Sequence, residues 1–229
     1  MKKSIVLATA VAAVLTSGVA TADISGNAAI ASNYVWRGVS QTENQAAGQG
    51  GIDWGNDSGL YAGTWVSNVD FTAAGGQKGY EMDVYAGFAG EAGSIGYDLG
   101  VITYQYPMEP QINFTEVYVS ATASVVTVGA AFTVDAASAN DGAVFDAGDI
   151  YVNGSLDFTA GKSDVSVYAG AYMFDADGTA GELDYVHFGA SVSKDGFTFA
   201  VDKNDIDGSS ASAEDNVRFT ASYSMDFEL

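Results

Sequence analysis

The C-terminal stretch NVRFTASYSMDFEL, residues 216–229, decides the fold class of this chain. Every second residue from Val217 to Leu229 is apolar, and every residue between them is polar or charged. Because successive side chains of a β-strand point to opposite faces, the segment has one apolar and one polar face. Such a strand fits a soluble sandwich or a membrane barrel with lipid outside and a wet lumen inside. At about 3.3 Å per residue it extends to about 46 Å, which favours a strand tilted across a bilayer.

The same alternation recurs along most of the chain and predicts about twelve strands. It is less regular near residues 27–40, 48–55 and 59–70, and the strand near 196–203 is short. It is clear at residues 80–88, 117–123, 126–134, 150–158, 165–173 and 186–192.

The connections between these segments are alternately short and long. Short polar turns include Asn56-Asp57-Ser58 and Lys194-Asp195-Gly196. This alternation predicts a transmembrane antiparallel β-barrel with short periplasmic turns and longer acidic outer loops, whereas a soluble periplasmic sandwich has no reason to sort its loops. The longer loops are expected at about 41–47, 71–79, 107–113, 135–148, 175–183 and 204–215.

The amino terminus reads as a secretory signal peptide, residues 1–22. Lys2 and Lys3 precede an apolar run at residues 5–15, and Ala20-Thr21-Ala22 fits a small-x-small cleavage site. The remainder, residues 23–229, is expected to form one barrel domain in the outer membrane of a Gram-negative bacterium.

The composition is strongly acidic and lacks cysteine. The chain has 29 acidic and 8 basic residues, a formal net charge of −21 and no cysteine. A nucleic-acid partner is therefore not expected, and disulfides, thiolate catalysis and Cys-ligated zinc are excluded. No cofactor and no metal site is predicted. The acidic loops are expected to be a solvated surface, and weak divalent-cation binding there stays open.

Several stretches of the first half resemble the TorF-type porin family, exported bacterial proteins otherwise of unknown function. The resemblance implies an outer-membrane barrel and says nothing about the solute. It rests on NYVWRGVSQT at residues 33–42, on residues 49–54 and 59–71, and further along on residues 81–87, 100–107 and 115–118.

Charged residues at the polar positions of the alternating strands, called the polar parity below, are expected to face the lumen. Arg37 has two interpretations: a structural network with lumenal carboxylates, or a charge constriction that selects what passes. The excess of carboxylate predicts a narrow channel for small solutes, with preference for cations or neutral molecules. The pore-lining candidates are Arg37, Glu81, Asp83, Asp98, Glu116, Asp157 and Arg218.

Two other function classes stay open at this point. A structural or adhesive barrel without a through-pore is one. The other is a lipid-modifying enzyme using His187 with Ser191 or Ser166, although no nucleophile motif supports it and no enzyme is predicted.

The expected partners are outer-membrane lipid, small solutes or ions, and the barrel assembly machinery, which would read the C-terminal strand. Five aromatic residues near predicted strand ends are expected in the interfacial girdles: Trp36, Trp54, Trp65, Tyr80 and Phe227.

Overall fold

A computed structural model describes residues 23–137, 145–175, 184–206 and 216–229, so the predicted signal peptide lies outside the described residues. These residues form a closed antiparallel barrel of twelve strands, which confirms the predicted fold class. The barrel strands are β1 (Asp23–Ala31), β4 (Ala47–Gly55), β5 (Leu60–Asp70), β6 (Lys78–Ala92), β7 (Ile95–Gln105), β8 (Phe114–Ala123), β9 (Val126–Ala136), β10 (Ile150–Ala160), β11 (Ser163–Met173), β12 (Tyr185–Lys194), β13 (Phe197–Asn204) and β14 (Arg218–Glu228), while β2 (Val35–Trp36) and β3 (Val39–Ser40) form a separate hairpin.

Helical structure is limited to short 3₁₀ turns in the described part of the chain. They lie at Thr72–Ala74 and Pro110–Ile112. Across the residues that the structure describes, no helix has the length and apolar character needed to cross a membrane.

The barrel closes between its last and first strands. The antiparallel register runs from Ser25 opposite Glu228 to Ala31 opposite Ser222. On its other side β1 pairs with β4, and each later strand pairs with its neighbours in the chain. The C-terminal strand therefore pairs with the first strand and closes the wall.

Period-two alternation sorts the side chains of the barrel wall. The apolar parity points outward and is exposed, as at Val119, Phe188 and Phe219. The opposite parity points inward and is largely buried, as at Glu116 and Tyr172. Because the two parities meet different surroundings, the register of each strand is fixed by its sequence pattern.

The girdle prediction is wrong for two of its five aromatic residues. Trp36 is buried inside the barrel, and Trp65 lies on the inward parity of β5, where its ring meets that of Tyr34 edge-on at 5.4 Å. Both rings pack inside the barrel because the chain after β1 turns inward and supplies partners there. Trp54, Tyr80 and Phe227 are exposed on the outward face.

The strand bounds confirm the predicted alternation of short and long connections, with one difference at the first loop. Large parts of the predicted loops at 135–148, 175–183 and 204–215 lie outside the described residues. β1 ends at Ala31 instead of continuing towards residue 40. Residues 32–46, called the inner loop below, then enter the barrel before β4 begins at Ala47. The inner loop fills space at the long-loop end of the lumen and positions the candidate site.

Candidate functional site

The inner loop is held in shape by its own hydrogen bonds. The amide oxygen of Asn33 accepts from the hydroxyls of Ser40 and Thr42, at 2.7 and 3.1 Å. The backbone N–H of Gln41 donates to the carbonyl oxygen of Tyr34 at 2.7 Å. These bonds tie the two arms of the loop together and leave the β2–β3 hairpin at its inner end.

The hairpin turns at Arg37 and Gly38. Trp36 pairs with Val39, so these two residues form the whole turn, and both have positive φ, 46° for Arg37 and 78° for Gly38. Two-residue turns with positive φ at both positions match the right-handed twist of short hairpins. A Cβ atom on Gly38 would also collide with the ring of His187, so glycine is required by both conformation and space.

Arg37 crosses to the far wall of the barrel and pairs with Glu116. Its Nη1 and Nη2 atoms donate to the two carboxylate oxygens at 2.8 and 2.6 Å, a bidentate arrangement. The guanidinium carbon also lies 4.3 Å from the ring centroid of Trp36 and 4.0 Å from that of Tyr151. Burial is the largest single influence and lowers the pKa of Arg37, but Glu116, Tyr104 and Tyr172 together raise that pKa above its ordinary value, so the group stays charged.

A second set of contacts holds the tip of the turn against the opposite wall. The carbonyl oxygen of Gly38 accepts from Asn204 Nδ2 at 2.8 Å and from Arg218 Nη1 at 3.3 Å. Asn204 and Arg218 belong to β13 and β14. The inner loop therefore spans the lumen from the β8 wall to the β13–β14 wall.

A third contact lies on the β6 side. The hydroxyl of Tyr34 donates to Glu81 Oε1 at 2.8 Å. Asp83, two residues further along β6, is buried, and its Oδ1 atom has no hydrogen-bond partner. Glu81, Asp83 and Glu116 thus bring carboxylates to the part of the lumen that the inner loop occupies.

Tyrosine hydroxyls meet other lumenal carboxylates elsewhere in the barrel. Tyr168 donates to Asp202 Oδ1 at 2.6 Å across Gly189, which faces Tyr168 in the register. The same arrangement joins Tyr85 to Asp53 across Gly63. In each case the glycine leaves room for the tyrosine ring to lie along the wall.

The predicted pore-lining residues all face the interior, but they divide into separate groups. Arg37 contacts Glu116 directly, and Glu81 and Arg218 contact other parts of the inner loop. Asp98 and Asp157 lie towards the short-turn end, where Asp98 accepts from Tyr61 at 2.6 Å and Asp157 from Ser155 at 2.5 Å.

Asp53 and Asp202 are inward carboxylates that the sequence analysis missed. Asp53 lies in a strand that alternates poorly, and Asp202 lies near the end of the short strand β13. In both cases three neighbouring strands carry a tyrosine, a glycine and an acidic residue at facing positions. This cross-strand pattern is the signal that would have identified Asp53 and Asp202 as inward carboxylates.

The residues considered for catalysis do not assemble into a nucleophile–base pair. Ser166 and Ser191 are paired across β11 and β12, whereas His187 lies four residues from Ser191 on β12. That separation is about 13 Å at the rise of a strand. The Nε2 atom of His187 lies 2.8 Å from the hydroxyl of Tyr151. Within the described ranges, no group of three or more His, Cys, Asp or Glu residues is placed to hold a metal ion.

A closed twelve-stranded barrel with an apolar outer face and a polar interior defines a porin-like fold. A solved structure described as "KdgM porin" matches with a TM-score of 0.53 and 10% identity, covering 90% of this chain and 99% of that chain. A second, from work described as "Unveiling the Mechanism Behind the in-meso Crystallization of Membrane Proteins", has a TM-score of 0.55, 8% identity and coverages of 90% and 84%. At these identities the likeness concerns the fold alone.

The chain belongs to the Gcw_chp family, described as bacterial protein of unknown function, whose model matches residues 16–227. No curated protein matches the sequence. The TorF-type resemblance is not tested by these matches and stays a prediction.

Proposed function

We propose that this protein is an outer-membrane barrel that forms a narrow channel for small solutes, with preference for cations or neutral molecules. The observation that carries the proposal is the inner loop, which Arg37 and Glu116 hold across the interior of a closed barrel. Loops that narrow a barrel without filling it leave a selective passage, and charged groups at the narrowing select what passes.

Strand length supports a membrane location. Several strands have 11 residues, including β7, β9 and β10. At about 3.4 Å per residue they extend to about 37 Å, and a tilt of about 45° reduces this to roughly 26 Å. That distance agrees with the apolar band of about 25 Å that outer-membrane barrels present to lipid.

The width of the barrel supports a narrow passage. Barrels of about eight strands are filled by their own side chains, whereas barrels of about 16–18 strands leave a wide channel. Twelve strands lie between these cases, and the inner loop takes part of the added space.

The interior charge supports a preference for cations or neutral solutes. The two cations that the sequence analysis placed in the lumen, Arg37 and Arg218, both lie inside the barrel. The charge of Arg37 is paired with that of Glu116. Carboxylates outnumber these two cations; they are Asp53, Glu81, Asp83, Asp98, Glu116, Asp157 and Asp202.

Planar-bilayer recording under a KCl gradient tests the channel. We expect a small conductance with a reversal potential that reports cation preference. Asp157→Asn should reduce that preference, because it removes a half-buried inward carboxylate. Asp57→Asn removes the same charge from an exposed short turn and should leave the reversal potential unchanged. Anion preference, or no conductance from a correctly inserted barrel, contradicts the proposal.

A barrel without a through-pore is the second candidate, and the packing of Trp36 favours it. The Trp36 ring contacts those of Tyr104, Phe114 and Tyr172, with centroid distances of 5.7, 6.1 and 6.1 Å. These rings are buried, so the inner loop fills this part of the lumen tightly. A silent wild-type barrel, together with conductance from a Trp36→Ala and Arg37→Ala double variant, would support this second candidate.

Export and assembly belong to the same proposal. Signal cleavage after Ala22 should leave Asp23 as the first residue, which N-terminal sequencing of the protein from outer-membrane fractions checks. Recovery in the soluble periplasmic fraction would contradict the membrane location.

A further inference from the structure

Three carboxylates lie close together where the inner loop meets the wall formed by β6, β7 and β8. Glu81 and Asp83 are inward residues of β6, with 1% and 3% of their surface exposed, and Glu116 of β8 has 1% exposed. Asp83 interacts electrostatically with both glutamates. These three residues are called the carboxylate cluster below. Arg37 pairs with Glu116 and brings one positive charge to the cluster.

The members of the carboxylate cluster differ in the donors that they receive. Glu116 accepts two hydrogen bonds from Arg37, and Glu81 accepts one from the Tyr34 hydroxyl at 2.8 Å. Asp83 Oδ1 is buried without a hydrogen-bond partner. A buried carboxyl oxygen that no donor meets has lost its hydration without replacement, which costs far more for the ionised form than for the neutral form. Asp83 is therefore the member of the cluster whose charge would be left uncompensated.

Among the described residues, the groups around Asp83 supply no second cation to the cluster. On β5 the residues opposite Asp83 and Glu81 are Trp65 and Ser67, which do not titrate. Tyrosine hydroxyls stay neutral at ordinary pH, so the charges here are the carboxylates and the one guanidinium that Glu116 already engages. The titratable and charged groups that face Asp83 are Glu81 and Tyr85 of β6, Tyr104 and Tyr106 on the β7 side, Glu116 of β8, and Tyr34 and Arg37 of the inner loop.

We infer that Asp83 is a proton-binding site of the lumen: it holds a proton while the inner loop is packed in place and releases this proton when the loop moves away. Two of the three negative charges would otherwise lack an opposite charge, and carboxylates that share one buried site do not all ionise together. Within the described ranges, no group of three such residues is placed to hold a metal ion, whereas a proton needs only one carboxyl oxygen. The proton is therefore the cation that the carboxylate cluster is able to take.

Release of the proton links pH to the position of the inner loop. Tyr34 belongs to the inner loop and bonds to Glu81 beside Asp83, so water reaches an ionised Asp83 only if this part of the loop moves. The packed arrangement binds one proton more than the arrangement with the loop displaced, so rising pH favours displacement. For one proton, the ratio of displaced to packed loops rises about tenfold for each pH unit. The proton site belongs to the folded barrel whether or not solutes pass, so it does not depend on the channel.

Infrared spectroscopy detects the proton directly. A protonated carboxyl group has a C=O stretching band that an ionised carboxylate lacks, and isotope labelling of aspartate carboxyls separates Asp83 from Glu81 and Glu116. We expect the folded wild-type barrel in detergent micelles to show a protonated-aspartate band at neutral pH, which weakens at alkaline pH. Asp83→Asn should remove this band. Asp164→Asn removes an exposed inward carboxylate of β11 and should keep it.

Limited digestion with trypsin reports whether the inner loop has moved. Arg37 is 6% exposed, so cleavage after it requires the loop to leave the lumen, whereas Lys162 lies in an exposed short turn. Cleavage after Lys162 measures the activity of trypsin at each pH, and mass spectrometry gives the ratio of the two cuts. The wild-type ratio should rise about tenfold for each pH unit on the alkaline side. Asp83→Asn and Asp83→Leu have no proton to release, and their ratio should stay constant.

Two results would contradict the proton site, and a third would contradict its link to the inner loop. Absence of a protonated-aspartate band from the folded wild type at neutral pH overturns the site, and so does a band that Asp83→Asn retains in full. An equal rise of the cleavage ratio in wild type, Asp83→Asn and Asp83→Leu overturns the link.

Folding and conductance are measured on the same samples. Heat-modifiable migration on gels shows which variants have folded, and Asp83→Leu keeps the digestion test valid if Asp83→Asn does not fold. A silent barrel that shows the band would remove the channel and leave the proton site. Conductance without the band would do the opposite.

Discussion

The guanidinium of Arg37 and the carboxylate of Glu116, 79 residues apart in sequence, form a buried bidentate pair with distances of 2.8 and 2.6 Å. Removing one partner leaves an uncompensated buried charge, which costs about 3–5 kcal/mol. Glu116→Gln and Arg37→Met should therefore each lower the free energy of unfolding by about this amount, measured in urea with the barrel in liposomes. The Arg37→Met, Glu116→Met double variant should recover part of the loss. A double variant as unstable as the sum of the single ones would contradict this account.

Gly38 tests the position of the inner loop. Gly38→Ala places an L-residue at a φ of 78° and brings its Cβ against His187. The conformation alone costs about 1–2 kcal/mol, and crowding adds to it. We expect lower stability and larger current fluctuations, because the turn must move away from the wall. Gly161→Ala is the matched control, since Gly161 has a φ of 68° with no neighbouring atom within 4 Å. Equal effects of the two substitutions would show that crowding against His187 is unimportant.

The hydrogen bond between Tyr168 and Asp202 should contribute measurably to barrel stability. Bonds to charged groups contribute about 1.5–3 kcal/mol, and partial hydration of the lumen places our expectation at the lower end. A double-mutant cycle with Tyr168→Phe and Asp202→Asn measures the coupling directly. Tyr80→Phe, on the exposed outer face, should change the stability little. A coupling energy near zero would show that the bond is replaced by water without cost.

Closure of the barrel depends on the end of β14. Removing residues 223–229 deletes the pairing with β1 from Ile30 opposite Tyr223 to Ser25 opposite Glu228. The truncated chain should fail to insert, because both seam strands would keep unpaired edges in lipid. Leu229→Phe keeps that pairing and should insert normally. Membrane fractionation and heat-modifiable migration measure both outcomes, and normal insertion of the truncated chain would contradict the role of the seam.

The sequence predicts the barrel well because the two faces of each strand meet different surroundings, which requires apolar and polar residues to alternate. Apolar and polar parities such as those of Val119 and Glu116 can be read directly, since lipid or other apolar surroundings lie on one side only. The sorting of short and long connections then fixes the topology. Residues 80–88 lie within β6, and β14 covers residues 218–228 of the predicted strand 216–229, with the apolar face outward in both strands.

The alternating pattern does not predict the position of the inner loop, because the apolar residues of this loop are buried inside the barrel. Val35, Trp36 and Val39 resemble the end of a first strand, yet they lie in a hairpin within the lumen. Local sequence does not distinguish burial against aromatic rings from exposure to lipid. Pairing of Arg37 with Glu116 in particular depends on which strands are opposite each other across the barrel.

The contacts of Gly38 make the position of the inner loop depend on the order in which the chain becomes complete. Its carbonyl oxygen accepts hydrogen bonds from Asn204 and Arg218, which are 166 and 180 residues further along the chain. Both donors belong to the final two strands, so a nascent barrel that lacks them has nothing to hold the turn on that side. The interior contacts of residues 32–46 are therefore completed only when the wall itself is complete, and protection of the inner loop from proteases becomes a measure of finished assembly.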